Sequence, residues 1–172
     1  MSNEGFRLPG KWKLRAHGRS IVLHSLGRDR PSHGLMKALI WGLYLPEFPT
    51  ATIEIDVGDR YKPDVVALDP FGKPLLWGES GQVSPKKLRD LAKRYRSARL
   101  VVAKWDASLE QHLVHIRKAL EGVERTAPFD VLSFPADSLE RFITPDGEIQ
   151  VSFSDLVWTQ FDGAGRVSKE LS

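Results

Sequence analysis

The chain contains no cysteine, which excludes a disulfide framework, a thiolate metal site and a cysteine nucleophile. It has no apolar run near the ~20 residues needed to span a bilayer, so no membrane association is expected. Its start, Met1-Ser2-Asn3-Glu4-Gly5, lacks the basic-then-apolar layout of a secretory signal. Together with the missing cysteines, this makes the reducing cytoplasm the expected location. Neither a P-loop nor a G-x-G-x-x-G is present, so no nucleotide cofactor is expected. There is also no internal repeat, low-complexity tract or linker.

What is present fits one soluble globular domain. The 172 residues are 41% hydrophobic and 27% charged, close to the average for such chains, and long enough for a real core. A single domain over residues 1–172 is expected, with frayed ends at about residues 1–10 and 162–172. The formal net charge is only +3, yet the 25 Lys and Arg are unevenly placed. Arg28 and Arg30 stand together, and a second group runs through Lys86, Lys87, Arg89, Lys93, Arg94, Arg96 and Arg99. Clustering of this kind marks either a nucleic-acid face or a plain solvated helix face.

Periodicity predicts a mixed α/β domain. Two strands, Lys11 to His17 and Ser20 to Leu26, precede a helix that starts near Pro31 and carries Leu35, Met36, Leu39, Ile40 and Leu43 at helical spacing. Three antiparallel strands follow: Ala51 to Asp56, Asp64 to Leu68 and Pro74 to Glu79, with the turn Asp69-Pro70-Phe71-Gly72 between the last two. Ser84 and Pro85 predict a helix start, and Leu88, Leu91, Ala92 and Tyr95 give that helix one apolar face. Leu100 to Ala103 is a continuous apolar run, expected of a strand buried on both faces. A helix over Ala107 to Leu120, a strand over Phe129 to Phe134, a short helix over Ala136 to Phe142 and a strand or pair within Ile149 to Phe161 complete the chain. Strand-helix-strand order around Leu100 to Ala103 predicts a parallel crossover.

Two acids interrupt apolar strands. Asp64 heads one and Glu79 closes the next, and a buried unpaired carboxylate is costly. Folding about residues 69–72 brings the two toward each other, where they are expected to hold one hard cation, Mg2+ or Mn2+. Such an ion lowers the pKa of bound water and screens charge on a phosphodiester. Gln82 is placed to orient a water. The helix beginning at Ser84 points its positive end at the same corner, with Lys86 or Lys87 to neutralise a phosphate.

Other motifs point nowhere. Gly78-Glu79-Ser80-Gly81 fails the G-x-S-x-G template of serine hydrolases, because glycine follows Ser80 at once. His112 and His115 share a helix at i, i+3 but do not form H-E-x-x-H, and they read as helix surface. Trp12, Trp41, Trp77, Trp105 and Trp158 sit mostly in apolar segments and read as core.

The order of elements resembles the restriction-endonuclease-like fold of the PD-(D/E)xK nuclease superfamily: Pro63-Asp64 stands as its "PD", and Glu79, 15 residues on, as its "D/E". Within that superfamily the chain resembles the YaeQ family, which has a strand ending in W-x-D-x-G-Q-P before a basic helix. The segment "WGESGQVSPKKLRDL" (Trp77 to Leu91) matches it, and "ARLVVAKW" and "FDVLSFPADSLERF" resemble its later strands and helix. The resemblance covers roughly Pro31 to Phe161. It implies an α/β domain with a mixed central sheet flanked by helices and a site at Asp64, Glu79, Gln82 and Lys87. It further implies a nucleic-acid face at Lys86, Lys87, Arg89, Lys93 and Arg94. The chain departs from the pattern at Gly81, where the superfamily has its lysine, and at His33 and Gly34, where look-alikes have a first-helix acid. A Mg2+-dependent phosphodiesterase acting on DNA or RNA is expected. A silent nuclease fold that binds nucleic acid or a protein partner, and a domain whose acids pair with nearby Lys or Arg, stay open beside it.

Overall fold

In a computed structural model, residues 11–24 and 31–171 are described. Arg28, Arg30, the end of the second predicted strand and the expected frayed start over residues 1–10 lie outside them.

The centre of the molecule is a helix that is apolar almost all round. In α1 (Pro31–Tyr44), Leu35, Met36, Leu39, Ile40, Trp41, Leu43 and Tyr44 are all buried, so it must be covered on both sides. A hairpin of β1 (Lys11–Ala16) and β2 (Arg19–His24) covers one side. A seven-stranded sheet covers the other. Two glycines let neighbours come close. A Cβ on Gly42 would lie 2.9 Å from Ile149 Cγ2, and one on Gly78 would lie 3.2 Å from Ile40 Cγ2.

The sheet runs in chain order from β3 (Thr52–Ile53), β4 (Val65–Leu68) and β5 (Pro74–Ser80) through β6 (Arg99–Trp105) and β7 (Phe129–Phe134) to β8 (Val157–Phe161) and β9 (Val167–Leu171). β3, β4 and β5 pair antiparallel as expected, and β5, β6 and β7 pair parallel. The parallel crossovers are made by α2 (Pro85–Arg94) and α3 (Glu110–Leu120). Both pack their apolar stripes on the face opposite α1, around Trp77, Leu100, Val102, Phe129 and Phe161. One sheet with a core on each face makes a single α/β domain.

Several predicted boundaries shift. The strand over Ala51 to Asp56 shrinks to two residues because Glu54 turns the chain with φ 56°, a left-handed conformation that a strand cannot continue. The third helix begins three residues late, at Glu110, and the short α4 covers only Ser138–Phe142. The strand or pair expected within Ile149 to Phe161 is the single strand β8; Ile149 makes a single bridge to Ile143, and Phe153–Asp155 form a 3-10 turn. The expected frayed end at 162–172 is instead a hairpin arm, β9, paired antiparallel with β8. Asp162 organises that turn, accepting from the amides of Ala164 and Arg166 through Oδ1. Trp41 and Trp77 are core, while Trp12, Trp105 and Trp158 are partly buried against it.

Candidate functional site

The end of β5 is where α1, α2 and the head of β4 converge. The register pairs Val65 with Gly78, and the Asp64 amide donates to the Gly78 carbonyl at 3.0 Å. Pairing stops there, and the next amide on β5, that of Ser80, has no strand partner. Asp64 supplies one: its Oδ2 accepts from Ser80 N at 2.8 Å and from Ser80 Oγ at 2.9 Å. Its Oδ1 faces α1, 3.6 Å from Lys37 Nζ and 3.8 Å from His33 Nε2. Lys37, buried in the apolar run of α1, also donates to Glu54 Oε1 at 2.8 Å. The turn at Glu54 is therefore the one that delivers this acid to α1.

Glu79 looks the other way. Trp77 and Glu79 share the α2 side of β5, and Glu79 Oε1 accepts from Trp77 Nε1 at 3.0 Å and from Lys87 Nζ at 2.8 Å. Its residue is only 5% exposed. Burial raises its pKa; Lys87 and Trp77 pull it back, and the nearby Asp64 charge adds to the rise.

The two carboxylates thus flank the end of β5 from different sides instead of sharing one pocket. Strand alternation predicts a common face, but Asp64 lies one residue beyond the paired part of β4, where alternation no longer holds. The free Ser80 amide and Lys37 of α1 decide its direction. In this arrangement Asp64 Oδ2 already carries two donors from Ser80, and Glu79 Oε1 carries an indole and an ammonium, so an ion between the two acids would share their oxygens with these donors. Among the described residues, no group of three or more His, Asp or Glu is placed to hold a metal.

Gly81 follows Ser80 at the end of β5. Its φ is +84°, a conformation that costs an L-residue roughly 1–2 kcal/mol. A lysine is thus disfavoured at this position; the cation beside Glu79, Lys87, comes from the first turn of α2. Ser80, His33 and Asp64 meet as hydroxyl, imidazole and carboxylate, with Ser80 Oγ 3.2 Å from His33 Nδ1. The carboxylate takes the hydroxyl directly, so there is no proton relay of the triad type. This agrees with the rejection of a serine hydrolase.

The remaining predicted residues separate. Gln82 is exposed and lines a cleft between α2 and α3 that neither Asp64 nor Glu79 reaches. Lys86 pairs with Asp90 at 3.0 Å. Arg89 donates to the carbonyls of Ala119 and Glu121 at the end of α3. Arg94 pairs with Asp59, which also accepts from the Tyr95 hydroxyl. Lys93 is exposed. Much of the basic run therefore clamps α2 to its surroundings. Lys37, Glu54 and Lys104 were missed by the sequence reading; the available signal was a lone lysine within an apolar helix and another at the end of an apolar strand.

Crystal structures of YaeQ proteins have the same architecture. The one from Pseudomonas syringae superposes with a TM-score of 0.60 over 94% of each chain at 16% identity. The one from Xanthomonas axonopodis pv. citri gives 0.59 over 88% of this chain and 87% of its own, at 17% identity. The fold is that of the YaeQ proteins. At this identity the likeness concerns the fold alone, as expected where function resides in particular sites. No protein-family model matches the chain, and no curated protein is significantly similar to it. No helix among the described residues of this YaeQ fold is long and apolar enough to cross a membrane.

Proposed function

We propose that the chain is a nuclease-fold protein that binds nucleic acid at the corner of β5 and α2 without metal-dependent cleavage. The observation that carries this reading is the buried Glu79–Lys87 pair at 2.8 Å. The acid that would serve an ion is neutralised by the protein's own cation, as Asp64 is by Lys37 from the other side. Along its length α2 carries five cations, Lys86, Lys87, Arg89, Lys93 and Arg94, against one acid of its own, Asp90, and Lys86 and Lys93 are exposed. Exposed ion pairs such as Lys86–Asp90 contribute roughly 0–1 kcal/mol, so phosphates exchange for them readily.

The test is fluorescence anisotropy with labelled single- and double-stranded DNA and RNA. Affinity should fall steeply from about 50 to 200 mM salt, the salt slope shrinking by about one for each phosphate-contacting lysine removed. Lys86→Glu with Lys93→Glu should weaken all sequences alike. No binding at low salt overturns the proposal.

A second reading is favoured by the same contact: Lys87 stands where a lysine displaced from position 81 would serve a Mg2+- or Mn2+-dependent phosphodiesterase. Mn2+-dependent plasmid nicking lost in both Asp64→Ala and Glu79→Ala selects it. Nicking unchanged by either variant does not come from this site.

A further inference from the structure

Three lysines among the described residues are buried or half-buried: Lys37, Lys87 and Lys104. The first two each have a carboxylate oxygen at 2.8 Å. Lys104 has none. At the end of β6 its Nζ donates to the Gly81 carbonyl at 2.7 Å, and burial pushes its pKa down with no acid to offset the effect. An ammonium half removed from water without a counter-charge is unfavourable.

Lys104 opens into the cleft between α2 and α3, about 600 Å³ in volume. His112 and His115 line the α3 wall, and Gln82 and Ser84 line the α2 end; no carboxylate lines it. His112 is half-buried, and its pKa is lowered by burial, then by the charges of Lys104 and His115. Three groups able to carry positive charge thus face one space with no carboxylate among them. A bound anion supplies the counter-charge that this lining lacks. The rest of the wall is apolar, with Leu88, Val102 and Ile116. The volume lies within the roughly 300–1,000 Å³ of small-molecule sites, far more than a lone phosphate fills.

We propose that this cleft binds a phosphomonoester carried on a nucleotide, its phosphate between Lys104 Nζ and His112 and its nucleoside against Leu88, Val102 and Ile116. The site is independent of the proposed nucleic-acid face: none of its cationic groups lies on α2 or touches Asp64 or Glu79. The phosphate has two sources, a free nucleotide or the 5′ end of a strand, and both present the same group.

The experiment is titration calorimetry of the intact protein with adenosine 5′-monophosphate, adenosine, inorganic phosphate, and an oligonucleotide with and without a 5′-phosphate. The monophosphate should bind, while adenosine and the unphosphorylated strand should not bind in the cleft. Lys104→Met and His112→Gln should each weaken it about tenfold, the loss of one charge-assisted hydrogen bond. Thermal melts confirm that both variants fold, and if Lys104→Met does not, His112→Gln carries the test. A gain in strand affinity from the 5′-phosphate that Lys104→Met abolishes assigns the strand end; monophosphate binding without such a gain assigns the free nucleotide. Lys86→Glu should leave mononucleotide binding intact while reducing strand binding, which separates this site from the α2 face. Absence of monophosphate binding, equal affinity for adenosine or inorganic phosphate, or unchanged affinity in both variants overturns the proposal.

Discussion

Glu79 carries its charge against opposing influences. Burial favours the protonated acid, whereas Lys87 and the Trp77 indole favour the carboxylate, and burial is the largest of them. The folded pKa lies above the ordinary 4.5, so over that window the folded protein binds more protons at this residue than the unfolded chain. The linked contribution to stability is present below 4.5 and is lost as pH rises through the folded pKa. Glu79→Gln keeps an acceptor for Trp77 and removes the titration. Urea melts across this window should show the stability of wild type relative to Glu79→Gln falling as pH rises; a pH-independent difference would contradict this assignment. At this scale the sequence revealed that two acids sit where an apolar strand does not want them. It did not reveal their partners. Asp64 turns to α1 because a single unpaired amide, that of Ser80, lies beside it, and Lys37 comes from a helix more than twenty residues earlier in the chain.

α2 is the element whose local signals agree with one another. Ser84 Oγ accepts from the Lys87 amide at 3.1 Å, Pro85 occupies the first turn, and Leu88, Leu91 and Ala92 are buried under α2. Trp77 stacks on Tyr95 at its end, with ring centroids 5.0 Å apart. The Ser84 cap and the Glu79–Lys87 pair share one residue, since the amide and the ammonium of Lys87 serve one each. Ser84→Ala should lower stability by about 1 kcal/mol, the usual worth of such a cap, read as a shift in urea midpoint with unchanged slope. No shift would mean that the packing of α2 holds its first turn without the cap. Other elements were less legible. β3 alternates like a strand over six residues and keeps two, because Glu54 is drawn toward Lys37. β9 has polar, alternating residues typical of an exposed end, and pairs only because β8 offers it an edge.

At the scale of the whole molecule, one buried acid joins four elements. Asp130 on β7 is 0% exposed; it accepts from the Tyr44 hydroxyl at the end of α1, from Gln160 Nε2 on β8 at 2.9 Å and from Arg99 Nη1 on β6 at 3.2 Å. Arg99 reaches on to Glu47 at 2.9 Å. Desolvation and the Asp130 charge together hold the Tyr44 phenol well above its ordinary pKa. Asp130→Ala leaves a largely buried guanidinium without its buried partner, and breaking a pair in that way costs about 3–5 kcal/mol. Thermal melts should show the loss as a large fall in Tm, without any effect specific to ligand binding. A fall no greater than that of Ser84→Ala would mean that Arg99 finds Glu47 sufficient. Nothing in the spacing of Tyr44, Arg99, Asp130 and Gln160 announces this network, because its members are separated by whole elements.

The sequence by itself determined the α/β class, the antiparallel entry of β4 and β5, the helix begun at Ser84 and the apolar strands β6 and β7. These follow from periodicity, turn chemistry and capping, which act over a few residues. Tertiary structure alone decided which side of β5 each acid faces, which lysine meets it, and that Lys104, His112 and His115 share a cleft without a carboxylate. Those outcomes depend on groups that become neighbours only after α1, α2 and α3 have packed on the sheet, where desolvation and the need to satisfy single polar atoms choose the partners.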